Sequence, residues 1–159
     1  MPALSTELVR LFHERFGFPV DAPLGRPETE PAVYGGKRAE NVEATLSTMS
    51  RTLKSVAVHL REHAEDLRAA RASLVLEEAG ELLEALYHGS RVDVADDLAD
   101  LAYVTYGTAV SYGIDLDGAI AEVHRSNMTK TPGDFKPVKD AGYQPPELAQ
   151  FLLPPRREG

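Results

Sequence analysis

Residues 76–106, LEEAGELLEALYHGSRVDVADDLADLAYVTY, decide how this chain folds. They read as two helical segments joined by a short turn at His88-Gly89-Ser90. The first segment carries Glu77, Glu78 and Glu81, and the second carries Asp93, Asp96, Asp97 and Asp100. Residues three or four apart share a helix face, so Glu78 pairs with Glu81 and Asp97 with Asp100. If the segments fold back antiparallel at the turn, the two pairs face each other. Four facing carboxylates repel unless a positive charge sits between them, and hard dications with oxygen ligands, Mg²⁺ or Mn²⁺, meet that need.

A solvated acidic face is the ordinary reading of a lone E-x-x-E. Here three features oppose it. The apolar positions Leu46, Met49, Leu53, Val56 and Leu60, then Leu67, Ala70 and Leu74, step by threes and fours as a buried seam does. Continued, that stepping reaches Glu77 and Glu81, which therefore stand where core is expected. Asp97 and Asp100 lie among Ala95, Leu98, Ala99, Leu101, Ala102 and Val104, a helix apolar nearly all round. Buried carboxylates are costly without partners, and Arg91 is the only Lys or Arg between Leu76 and Tyr106. The residues alone thus favour a metal site over a salt-bridged face.

The order E-E-x-x-E, then a second acidic pair on the next helix, resembles the all-α nucleoside triphosphate pyrophosphohydrolases. These include MazG-type enzymes, dimeric dUTPases, dCTP pyrophosphatases and phosphoribosyl-ATP pyrophosphohydrolases. The family pattern continues with E-x-x-D, where this chain has Asp97-x-x-Asp100, one methylene shorter at the first position. Downstream, DLADLAYVTYGTAVSYGIDLDGAIAEVHRSNMTK looks like the MazG-like dUTPase-type branch. The resemblance covers about Arg68 to Lys130. It implies that Glu78, Glu81, Asp97 and Asp100 bind two or three Mg²⁺ or Mn²⁺ ions, with Glu77 as a further ligand or as orienter of the attacking water. Glu77 or Glu81 would act as general base. It also implies that Asn127 and Lys130, one turn apart, contact the nucleotide, and that the protein is a homodimer or homotetramer. Tyr103 and Tyr106 could border a base. Glu84, outside the motif, reads as surface or a salt bridge.

Composition bounds the alternatives. A chain of 159 residues, 43% hydrophobic and 26% charged, is expected to form one globular domain. Its formal charge of −8 argues against binding nucleic-acid polymers but leaves nucleotides open as substrates. The absence of cysteine excludes disulfides and thiolate chemistry. No signal-peptide pattern and no apolar run near the roughly 20 residues of a membrane span is visible, so the expected location is cytoplasmic.

Around the acidic stretch, the expected fold is all-α, a bundle of four to six helices with its core over 66–130. Ser5 is expected to cap a first helix ending at Phe16-Gly17. Residues 18–38, rich in Pro and Gly, form a loop or arm. Between Lys37 and Tyr87 the only Gly or Pro is Gly80. A break in the polar stretch Arg61 to Arg68 is expected to give helices near 39–62 and 66–88, with one long helix along the continuous seam as the alternative; the first helix looks like an element added to the family pattern. Gly80 implies close approach of another helix. Asp93 is expected to cap a helix to about Tyr112, and Asp115 another to about Met128. Residues 131–159 form a largely irregular tail with a short helix near Glu147 to Leu152.

The expected activity is hydrolysis of a (d)NTP to (d)NMP and diphosphate, with dUTP or another house-cleaning nucleotide as substrate. A non-catalytic helical dimeric regulator and a phosphoribosyl-ATP pyrophosphohydrolase are the alternatives. A di-iron bundle is excluded because Glu122-Val123-His124 lacks the Glu-x-x-His spacing.

Overall fold

The break expected between 61 and 68 is present. The computed structural model describes residues 4–22, 24, 42–134 and 136–154, and among these it contains five α-helices and no strand. They are α1 (Leu4–Phe16), α2 (Val42–Arg61), α3 (Leu67–His88), α4 (Arg91–Ser111) and α5 (Leu116–Asn127), with a 3₁₀ turn at Leu148–Phe151. Most of the Pro- and Gly-rich segment 18–38 lies outside the described residues. No helix among the described residues is long and apolar enough to cross a membrane.

By their contacts the described residues fall into two compact units, divided within α4 between Thr108 and Ala109. One unit holds α2, α3 and α4 as far as Thr108. There α2 and α3 form a closely packed antiparallel hairpin. Small residues make the approach possible: Ser50 and Ala57 on α2 are buried, as are Ser73 and Gly80 on α3. The Ser50 hydroxyl donates to the Gly80 carbonyl at 2.7 Å. A Cβ on Gly80 would lie 2.9 Å from Lys54 Cγ and 3.2 Å from the Ser50 carbonyl. The glycine inside the acidic motif is thus explained by the close neighbour, as expected.

The seam is narrower than the sequence implies. Met49 and Val56 remain 47% and 43% exposed, because α2 turns its small residues toward α3. The tie from α3 to α4 is polar: Arg71 donates to the Val104 carbonyl at 3.0 Å and to Thr108 Oγ1 at 3.3 Å. Its guanidinium lies over Gly107, where a Cβ would come within 2.6 Å of Nη2.

Helix ends follow side-chain chemistry, with two departures from expectation. Asp66 caps α3, accepting from the Arg68 amide at 2.8 Å, and Gly89 terminates it. Ser90, not Asp93, caps α4: its hydroxyl accepts from the amides of Val92 and Asp93, while Asp93 accepts from the Ser90 amide at 2.6 Å. This is a reciprocal capping box with Asp at its third position. Ser5 lies inside α1, which starts at Leu4, so it is not the cap.

In the second unit α1 packs on α5, and α5 on the 3₁₀ turn. Gly17 and Gly113 take positive φ at the ends of α1 and α4, and Asp115 caps α5 by accepting from the Gly118 amide at 3.1 Å. The tail is irregular, pinned by isolated bridges Thr131–Val138 and Ile114–Leu152.

Candidate functional site

Helix α3 presents its acids on two adjoining faces. Glu77, Glu81 and Glu84, spaced by four and three, run along the side toward α2 and meet bases there. Arg61 pairs with Glu77. Lys54 donates to Glu84 at 2.7 Å, and its ammonium stands 4.0 Å from Glu81. The expectation that no base serves these acids is therefore corrected. The bases come from α2, outside residues 76–106. Glu84 forms the salt bridge anticipated for it, and Lys54 holds its carboxyl below the ordinary value.

Glu78 is placed differently. It is half-buried, and burial raises its pKa, with further upward pressure from Glu81, Asp100, Glu77 and Asp97 in that order. Asp97 on α4 behaves alike: burial first, then Asp96, Asp100 and Asp93, push its carboxyl up, while Lys54 opposes them. The carboxylates of the two helices thus feel one another's charge. Asp100 lies on the exposed side of α4. Tyr103, one turn further along, is 81% exposed.

Among the described residues, no three His, Asp or Glu side chains are drawn together closely enough to hold a metal ion. The donor chemistry nonetheless suits a hard dication. The acids supply only carboxylate oxygens, and Glu78 and Asp97 are crowded by like charge. On the α2 side, Glu77 is paired with Arg61, and Glu84 and Glu81 lie beside Lys54. Lys54, Glu81, Glu84, His88, Asp93 and Asp97 line an open pocket of about 320 Å³ on this unit.

A family model described as phosphoribosyl-ATP pyrophosphohydrolase matches residues 38–127, more than half of the chain. The chain belongs to this family. It is accordingly a nucleotide pyrophosphohydrolase, a hydrolase acting on phosphoric anhydride bonds within the MazG-like all-α superfamily, in which metal dependence is typical. The matched span takes in α2, so that helix is part of the matched region and not an addition ahead of it. No curated protein and no solved structure matches the chain.

The residues expected to contact the nucleotide from the chain's far end, Asn127 and Lys130, lie in the second unit, half-buried at the end of α5 and just beyond it. Around them the EVHRSNMTK segment does structural work that the sequence did not reveal. Glu122 accepts from Arg125 at 2.7 Å and from the Glu147 amide at 2.8 Å, and its carboxyl is lowered to about 2, first by Arg125. Arg125 also reaches Gln144 Oε1 at 3.0 Å and the Pro145 carbonyl at 3.1 Å. Buried Ser126 donates to the Gln144 carbonyl at 2.7 Å. The Tyr143 hydroxyl is held below its ordinary value, first by Ser126, with Lys139 and Lys130 adding to it. Arg125 thus fastens the tail to α5.

Proposed function

We propose that the protein is a metal-dependent nucleoside triphosphate pyrophosphohydrolase, cleaving a (d)NTP between its α- and β-phosphates. The reading is carried by the family match together with the like-charge crowding of Glu78 on α3 and Asp97 on α4, which raises both carboxyls. Glu78, Glu81, Asp97 and Asp100 would hold Mg²⁺ or Mn²⁺. Bound there, the metal supplies positive charge for the phosphoryl oxygens and acidifies the attacking water.

The chain's own residues do the rest. Glu77, paired with Arg61, orients the water, and whichever of Glu77 and Glu81 keeps an oxygen free of the metal takes its proton as general base. The water oxygen bonds to the α-phosphorus, the bond from that phosphorus to the bridging oxygen breaks, and diphosphate leaves. Tyr103, on the exposed side of α4 that also carries Asp100, offers a ring to the base. Asn127 and Lys130 contact sugar or phosphate. Exposed Val92 and Leu98 leave apolar surface on α4 that a second copy of the chain would cover. This is consistent with a homodimer or homotetramer.

dUTP or another house-cleaning nucleotide is the substrate favoured by the resemblance over residues 97–130. Phosphoribosyl-ATP is the second reading, favoured by the description of the matching family model. Diphosphate release from a panel of dUTP, dCTP, dTTP, ATP and phosphoribosyl-ATP, with Mg²⁺ or Mn²⁺, decides between them. Turnover of none of these nucleotides overturns the proposal. Turnover that survives Glu78→Ala overturns the ligand set.

A further inference from the structure

The pocket beside the acids has one cationic side chain of Lys or Arg type among its lining residues, Lys54. Its position is built, not incidental. The stem of Lys54 crosses α3 over Gly80, the one residue that leaves room for it. The ammonium is thereby delivered to Glu84 at 2.7 Å, with Glu81 at 4.0 Å. Lys54 is only about one-third exposed, so much of its stem is covered while its charged end reaches the pocket.

A triphosphate is an anion that must dock against a wall of carboxylates. Dications on the acids offset part of that repulsion, and a positive side chain already in the pocket offsets more. Its ion pair with Glu84 holds the ammonium in the pocket wall, so Glu81 would stay available to a dication. From this placement we infer that Lys54 is a phosphate-binding residue of the hydrolytic site, contributed by α2 and contacting the diphosphate half of the nucleotide. The inference rests on the hydrolase reading above and deepens it. It assigns to α2 a part in substrate binding that the acidic motif does not reveal.

The test uses the full chain and two separate probes, Mn²⁺ alone and magnesium pyrophosphate, each titrated calorimetrically. Lys54→Met keeps the aliphatic stem over Gly80, and Lys54→Gln serves as a second neutral variant, each checked for helicity before titration. In both, pyrophosphate affinity falls by about tenfold, the size expected on losing one charge-assisted hydrogen bond. Affinity for Mn²⁺ alone is unchanged or tighter. Lys54→Arg restores most of the pyrophosphate affinity, and the KM for the nucleotide rises more than kcat falls in the neutral variants. Unchanged pyrophosphate affinity together with tighter Mn²⁺ binding overturns the inference, since Lys54 then only balances the acids. Wild-type protein that binds no Mn²⁺ overturns the hydrolase reading itself, and the Lys54 assignment with it.

Discussion

Replacing Gly80 with alanine sets two known quantities against each other. In a helix interior Ala is favoured over Gly by about 1 kcal/mol, so an uncrowded site would gain that much. Gly80 is crowded: the new methyl would meet Lys54 Cγ at 2.9 Å and the Ser50 carbonyl at 3.2 Å. The first contact is with the root of the Lys54 side chain, so relieving it means turning the whole stem. The second involves the α2 backbone, which must retreat by a few tenths of an ångström and loosens the buried Ser50–Gly80 hydrogen bond. Overpacking of this kind costs about 1–3 kcal/mol, so the net expectation is a loss of roughly 0–2 kcal/mol. For a chain of this size each kcal/mol lost lowers Tm by about 2–4 °C. Thermal unfolding followed by circular dichroism measures it. The same change in a Lys54→Ala background removes the closer contact, so the loss there is smaller and the pair couples by about 0.5 kcal/mol or more. A Gly80→Ala protein more stable by the full propensity gain would refute the close packing of α2 on α3.

Ser90→Ala removes the cap of α4 and costs about 1 kcal/mol, read as a lower urea midpoint; Asp93→Ala alone, sparing the hydroxyl, costs less. Glu122 is lowered from 4.5 to about 2, so its stabilising contribution is complete above about pH 4.5 and is lost as pH falls toward 2. Hydrogen exchange of the Glu147 amide should rise beyond the intrinsic acid trend across that window, and Glu122→Gln should flatten the effect. Glu78 has its pKa raised by burial and neighbouring acids, so its ionised form opposes folding at neutral pH, and the penalty fades as pH falls. Glu78→Gln therefore raises the metal-free Tm at pH 7 and removes the gain that Mn²⁺ gives the wild type; a lower metal-free Tm would contradict the assignment.

The sequence exposed the helices more readily than their partners. The polar stretch Arg61 to Arg68 marks the break before α3, and Gly89, Gly113 and Asp115 mark real helix ends. The α4 cap was misplaced because Ser90 and Asp93 belong to one reciprocal motif, and an acid ahead of an apolar run resembles a cap by itself. The seam was read too broadly because periodicity reports a face and not the depth of its burial. Ser50 and Ala57 carry the α2 contact, while larger Met49 and Val56 stay open. The salt bridges were missed through range: Lys54 and Arg61 are separated from Glu84 and Glu77 by 30 and 16 positions. One signal for them was present. Positions 54 and 61 are seven apart, matching the Glu77-to-Glu84 interval on an antiparallel neighbour.

That matching interval also explains why one acidic motif holds two kinds of carboxylate. Along the side of α3 toward α2, Glu77 and Glu84 have guanidinium and ammonium partners, so their charge is answered within the chain. Glu78 is rotated about 100° from Glu77 by the helix and has no such base among the described residues; its strongest charged neighbours are Glu81 and Asp100. Asp97 on α4 is likewise set against other acids, with Lys54 the weakest influence on it. Glu81 stands between the two groups, near Lys54 on one side and pressing on Glu78 on the other. An all-acidic face would give no reason to prefer one carboxylate as a ligand over another. Here α2 has already answered the outer pair, so the charge left over falls on Glu78 and Asp97, on opposite helices, where an external dication has the most repulsion to relieve.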